Sequence, residues 1–167
     1  TYYGIGGVGK SSLIRQIKSE LEQQIRDPLY VTIDLEESSD MLATLNKIRH
    51  ILNRNYRFDF PLFDLAYFSY MQKLGYPIQK EEVQSFISSS PMLSSLLDIT
   101  STLPGAGTII GILKGVDNLG AAIRNKLSDR SRELNEIKYD EPEILYQNLP
   151  FYLACDMDTN MEKRSEP

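Results

Sequence analysis

Eight residues near the start of the chain constrain it more than any other stretch. Gly4-Ile5-Gly6-Gly7-Val8-Gly9-Lys10-Ser11 fits the pattern Gly-x-x-x-x-Gly-Lys-Ser/Thr at every fixed position. A polyphosphate needs several backbone N–H donors at close range, and glycine lets the main chain curl around it without a Cβ in the way. Lys10 is then expected to reach the β- and γ-phosphates and to meet charge developing in the transition state. The Ser11 hydroxyl is expected to ligate Mg²⁺. A helix starting beside Gly9 would turn the positive end of its dipole toward the same anion. Tyr2 and Tyr3 are strand formers ahead of the loop, and Ser11 to Arg26 reads as a helix behind it.

That helix carries Leu13, Ile14, Ile17, Leu21 and Ile25 at helical spacing, with charged and polar residues on its other faces. Asp27-Pro28 ends it, because a proline disfavours helical geometry in the residue before it. Leu29-Tyr30-Val31-Thr32-Ile33-Asp34-Leu35 is β-branched and aromatic and has the length of a buried strand. Strand, loop, helix and strand in that order predict a parallel βαβ unit. The expected fold is therefore α/β: the start of a phosphate-loop NTPase sheet over 1–37, then a largely helical portion over 38–167. Only three residues precede Gly4, so the first strand is expected to begin upstream.

Asp34, Glu36 and Glu37 fall at the carboxyl end of the second predicted strand, the edge where ligands sit in open α/β folds. Asp34 is thus a catalytic candidate near Mg²⁺ or an attacking water, although solvated acids that cap the next helix are the preferred reading for all three. Beyond Ser39 the pattern is helical. Asp40 is placed to cap a helix bearing Leu42, Leu45, Ile48, Ile51 and Leu52, and Asn53 to Arg57 reads as a loop. Pro61 suits the first turn of another helix that stops at Gly75. The aromatics from Phe58 to Tyr70 suggest base stacking at first sight, but at this spacing in an acidic chain they read as core. Further short helices are expected over Glu81 to Ser88 and from Pro91. The glycine-rich apolar stretch 103–120 reads equally as a partner-binding segment or a surface linker, and Arg124 to Lys138 as a solvated helix face.

Phe151-Tyr152-Leu153-Ala154-Cys155-Asp156 has the form of a Walker B strand, an apolar run closing on an acid that holds Mg²⁺, which makes Asp156 a second catalytic candidate. Pro150 ahead of it and the helix-like residues behind it favour the other reading, a helix beginning at Pro150.

Composition narrows the function classes. A net charge of −5 opposes nonspecific nucleic-acid binding, which needs a basic footprint. A single cysteine, Cys155, excludes an internal disulfide and fits a half-buried thiol in a reducing cytoplasm. His50 is the lone histidine and has no nucleophile-elbow signature beside it, so it reads as a solvated or packed helix residue. No run is long and apolar enough for a membrane span.

Tyr3-Gly4-Ile5-Gly6-Gly7-Val8-Gly9-Lys10-Ser11-Ser12-Leu13 resembles the nucleotide-binding loop of the STAND NTPases, the signal-transducing ATPases that include NACHT and NB-ARC proteins. Tyr30 to Leu35 and the helix around Phe60-Pro61-Leu62-Phe63-Asp64-Leu65-Ala66 are more loosely similar to bacterial members. The resemblance implies ATP or ADP with Mg²⁺ as cofactors, bound by Gly4, Gly6, Gly7, Val8, Gly9 and Lys10. It places Mg²⁺ on Ser11 and an α-phosphate contact on Ser12. It further implies slow hydrolysis in the full-length protein, used as a conformational switch, with oligomer or partner contacts made through other domains. No sensor arginine or winged-helix histidine motif is recognisable here. ParA/MinD-type ATPases share the glycine pair but carry a lysine just ahead of it, where this chain has Ile5. A phosphate-loop kinase, or an interaction module with a vestigial loop, are the alternative readings.

Overall fold

A computed structural model describes residues 9–25, 28–33, 40–75 and 127–165. The chain divides into two compact units, Thr1–Thr32 and Ile33–Pro167. The described part of the first unit holds helix α1 (Lys10–Gln24) and the segment that follows it. The second holds α2 (Met41–Tyr56), α3 (Pro61–Lys73), a 3₁₀ turn (Ser128–Arg130), α4 (Ser131–Tyr139) and α5 (Pro142–Ser165).

The described residues are mostly helical, and none of them forms a strand, which corrects the α/β parallel-sheet expectation. The segment 28–33 lies where the second strand was expected, yet it joins neither a helix nor a ladder. Its contacts are instead with α1. The Tyr30 hydroxyl donates to Glu22 Oε1 at 2.7 Å, and Lys18 Nζ sits 5.3 Å from the centre of the Tyr30 ring. A β-branched run marks residues that suit a pleated surface, but a strand exists only where a second strand pairs with it. Leu13, Ile14 and Ile17 of α1, and Ile25 just past its end, are exposed.

In the second unit each helix starts and stops for a local reason. Asp40 caps α2 by accepting the Ala43 N–H at 3.3 Å, and Arg57 ends it in the left-handed conformation at φ 58°. The helix runs through Asn53 to Tyr56, which were expected as loop; the Asn53 side chain spans the helix end by donating to the Phe58 carbonyl at 2.8 Å. Pro61 occupies the first position of α3, where its missing N–H costs nothing. Gly75, at φ 73°, follows its last turn.

The centre of this unit is α3. Leu62, Phe63, Leu65, Ala66 and Phe68 are buried on it together with Asp64 and Ser69. A helix apolar on nearly every face has to be covered; α4 and α5 pack against this one, and α2, itself packed on α5, reaches it through the Arg49–Asp64 pair. Leu145, Leu149, Tyr152, Leu153 and Asp156 make the buried stripe of α5, at spacings of three and four residues. Pro150 sits inside α5 on its exposed side, so the helix begins at Pro142 and not at Pro150. Lys73 closes the far end of α4: its ammonium donates to the carbonyls of Ile137 at 3.4 Å, Lys138 at 3.2 Å, and Asp140. Cations belong at a helix C-terminus for the sake of its exposed carbonyls and its dipole.

These burials set unequal expectations for two phenylalanines. Phe63→Ala, at a fully buried position, should destabilise the unit by about 3–5 kcal/mol, while Phe151→Ala, half exposed, should stay within about 0.5 kcal/mol. Urea denaturation followed by helical circular dichroism measures both.

Candidate functional site

The predicted phosphate site meets the described structure at the first turn of α1. The helix begins at Lys10, and Gly9 before it adopts the left-handed conformation, φ 83° and ψ 13°. A side chain at that φ would be strained, although nothing lies within 4 Å of where its Cβ would go. The Gly9 carbonyl accepts the first intrahelical bond, from Leu13 N at 2.9 Å. No side chain caps this end, and no acid lies in the first turn. Helix N-termini usually gather acids or hydroxyl caps, because their first N–H groups are unpaired and partly positive. Here the chain gathers cations. Arg15 folds back along the helix, its Nε donating to the Ser11 carbonyl at 3.3 Å and its Nη2 to Ser12 Oγ at 3.4 Å. Ser11 and Ser12 are exposed. An end so arranged favours an anion.

Gly4, Gly6, Gly7 and Val8 lie outside the described residues, as do Asp34, Glu36, Glu37 and the Lys10 side chain. Of the residues expected at the site, Gly9, Ser11 and Ser12 are thus brought together at one helix end. Asp156 belongs to the other unit and serves another purpose. It lies within α5, so Phe151 to Asp156 is a stretch of helix and the Walker B strand reading falls. Among the described residues, no group of three or more His, Cys, Asp or Glu side chains is arranged to hold a metal ion. No helix among them is long and apolar enough to cross a membrane. The stretches 76–126 and 166–167, with the short helices and glycine-rich segment expected there, are outside the described residues.

Asp156 instead caps α3 from outside. Its Oδ1 accepts the Leu62 N–H at 3.3 Å and its Oδ2 the Phe63 N–H at 2.9 Å. One turn on, Asn160 grips Asp59 by both backbone groups, accepting from its N–H at 3.0 Å and donating to its carbonyl at 2.7 Å. Beside this cap Arg49 of α2 and Asp64 of α3 form a two-pronged ion pair, Nη2 to Oδ2 at 2.8 Å and Nε to Oδ1 at 3.2 Å. Arg49, Asp64 and Asp156 are all buried, Asp64 completely. Burial raises the Asp64 carboxyl to about 7; the nearby Arg49 opposes that rise and Asp59 adds to it. Burial likewise holds Asp156 well above the ordinary carboxylate range, against the two N–H bonds it accepts.

Arg49, Asp64 and Asn160 are not conspicuous in the sequence, but a signal for two of them exists. Arg49 falls in phase with Leu45 and Leu52, and Asp156 and Asn160 fall in phase with Leu145, Leu149 and Tyr152. A polar residue standing in an apolar stripe has to find its partner inside. Nothing in the spacing tells which partner that is.

A shallow cleft of about 250 Å³ lies between α3 and α5, lined by Tyr70, Leu74, Pro142, Glu143, Tyr146 and Gln147. Its one charged lining residue is an acid, so it does not suit a phosphate. Comparisons with protein-family models, with characterised proteins and with solved structures found no match to this chain.

The Arg49–Asp64 pair carries a prediction of its own. Arg49→Met alone strands a buried carboxyl and should cost about 3–5 kcal/mol. Replacing both, Arg49→Met with Asp64→Leu, should recover most of that loss. A double-mutant cycle in urea reads the coupling directly.

Proposed function

We propose that this chain binds a nucleoside triphosphate with Mg²⁺ through the loop that ends at Ser12. The observation that carries the reading is the join between motif and helix. The complete Gly-x-x-x-x-Gly-Lys-Ser pattern runs straight into a helix whose first turn has a left-handed glycine before it, no capping side chain and no acid. In this reading Gly4, Gly6, Gly7, Val8 and Gly9 surround the phosphates with N–H groups, Lys10 neutralises the terminal phosphates, Ser11 holds Mg²⁺ and Ser12 reaches the α-phosphate. ATP is the nucleotide that the resemblance to STAND NTPases favours. Slow hydrolysis to ADP and phosphate in the full-length protein then serves as a conformational switch in cytoplasmic signalling or defence, with oligomers or partner proteins engaged through other domains. The loop chemistry rests on the residues themselves, and the family on the resemblance alone.

Calorimetric titration of the chain with Mg-ATP and Mg-ADP, beside Lys10→Ala, tests this. Saturable binding is expected, weakened by roughly tenfold to a hundredfold in the variant, the worth of a charged hydrogen bond of about 1.5–3 kcal/mol. A chain with intact helical circular dichroism that takes up neither nucleotide at millimolar concentration sinks the proposal.

A further inference from the structure

The cleft between the end of α3 and the start of α5 takes no part in the nucleotide reading, and its lining has a chemistry of its own. Tyr70 and Leu74 stand one turn apart on α3, and Pro142, Glu143, Tyr146 and Gln147 line it from the first turns of α5. The Tyr70 and Tyr146 rings lie 5.6 Å apart, centre to centre, with their planes inclined at 40°. Both tyrosines are half-buried, whereas Leu74, Glu143 and Gln147 are exposed. Leu74 is also the residue at which α3 ends, so the negative end of that helix's dipole falls at the cleft. Glu143 lies in the first turn of α5, where the positive helix end favours its carboxylate. The neighbouring cation on α3, Lys73, is taken up by the carbonyls that end α4.

We propose that this cleft is the seat of one arginine side chain presented by a basic segment of a partner protein. A guanidinium has three properties that the lining answers. Its flat face stacks on tyrosine rings, whose quadrupole attracts positive charge. Its edge offers N–H groups in parallel to a carboxylate, here that of Glu143, and the Gln147 side-chain carbonyl is a further acceptor in the same lining. Its methylene stem is apolar and suits Leu74 and Pro142. A lysine ammonium would meet the same charge, but it is a compact point and does not stack as a plane.

Size and charge choose the source of that arginine. At about 250 Å³ the cleft is smaller than the roughly 300–1,000 Å³ that enclose a small molecule. A shallow cleft of that size holds one side chain while its backbone stays outside, as an anchor residue of a protein interface does. Arginine is among the residues enriched in that role. The chain as a whole carries a net charge of −5, which draws a basic partner toward it.

Nuclear magnetic resonance of the whole chain, with the tyrosine ring signals assigned, tests this with the peptide acetyl-Gly-Arg-Gly-amide. Two controls accompany it: the same peptide with citrulline, the neutral isostere, in place of arginine, and methylguanidinium, which has the head without the stem or backbone. Saturable shifts of the Tyr70 and Tyr146 rings are expected with the arginine peptide, at a Kd on the order of 1–10 mM for a single anchoring side chain. The citrulline peptide should bind at least about tenfold more weakly, and methylguanidinium about threefold more weakly. Glu143→Gln, at an exposed position, should weaken the arginine peptide about threefold to tenfold. Tyr146→Leu should weaken it about twofold to fivefold. Helical circular dichroism identifies a variant that has not folded, and Glu143→Gln decides alone if Tyr146→Leu is one. Rings left unmoved by the arginine peptide at about 50 mM overturn the proposal. So does a citrulline peptide or methylguanidinium that binds as tightly as the arginine peptide, or a Glu143→Gln variant with unchanged affinity.

Discussion

The helical unit depends on a cap supplied from outside its own helix. The first turn of α3 is buried, so its unpaired N–H groups have no water to turn to. Phe60 stands at the capping position and has no oxygen to offer. The Asp156 carboxyl, arriving from α5, takes the N–H groups of Leu62 and Phe63 in its place. Without that contact the most buried helix of the unit would begin with orphaned donors. With it, α3 can be apolar on almost every side and still be satisfied at its start.

The same contact fixes register. An apolar stripe such as that of α5 tolerates sliding by a turn, since leucine on leucine is much the same a little further along. A carboxyl that must meet two particular N–H groups does not, because a slide of one turn moves it by about 5.4 Å. Asn160 repeats the condition one turn later, holding both backbone groups of Asp59. The Arg49–Asp64 pair extends it to α2. Polar contacts of this kind add little net stability compared with an apolar core, but each is expensive to break, which makes one arrangement of the three helices stand out.

The chemistry of the first unit has a different origin. At the start of α1 the favourable field comes from the backbone and from cations that the sequence places locally, Lys10 at the first position and Arg15 folded back beside Ser12. Anion attraction at one end and buried charge within a helical core are separate devices, and each is answerable to its own experiment.

Local signals in the sequence are sufficient for local features. A glycine before a lysine-serine pair sets the start of α1, Asp40 sets the start of α2, and Pro61 that of α3, because capping and φ restriction act within a turn. Phe58, Phe60, Phe63 and Phe68 are core for an equally simple reason, their apolar area. Where the outcome depended on a distant partner, the sequence pointed elsewhere. The run from Leu29 suits a strand, yet no described residue pairs with it. Phe151 to Asp156 has the composition of a strand ending in an acid, yet it lies in α5 and its acid caps α3. The extent of α2 past Asn53 is of this kind too, since the Asn53 side chain turns back on Phe58 only once the chain has folded there. What the sequence by itself determined was the phosphate-loop pattern, the helix starts and the apolar stripes, all set by neighbours within a few residues. Tertiary structure alone decided that the described chain is helical, and that Arg49, Asp64 and Asp156 meet, because pairing of buried groups far apart in sequence is settled by which surfaces exclude water together.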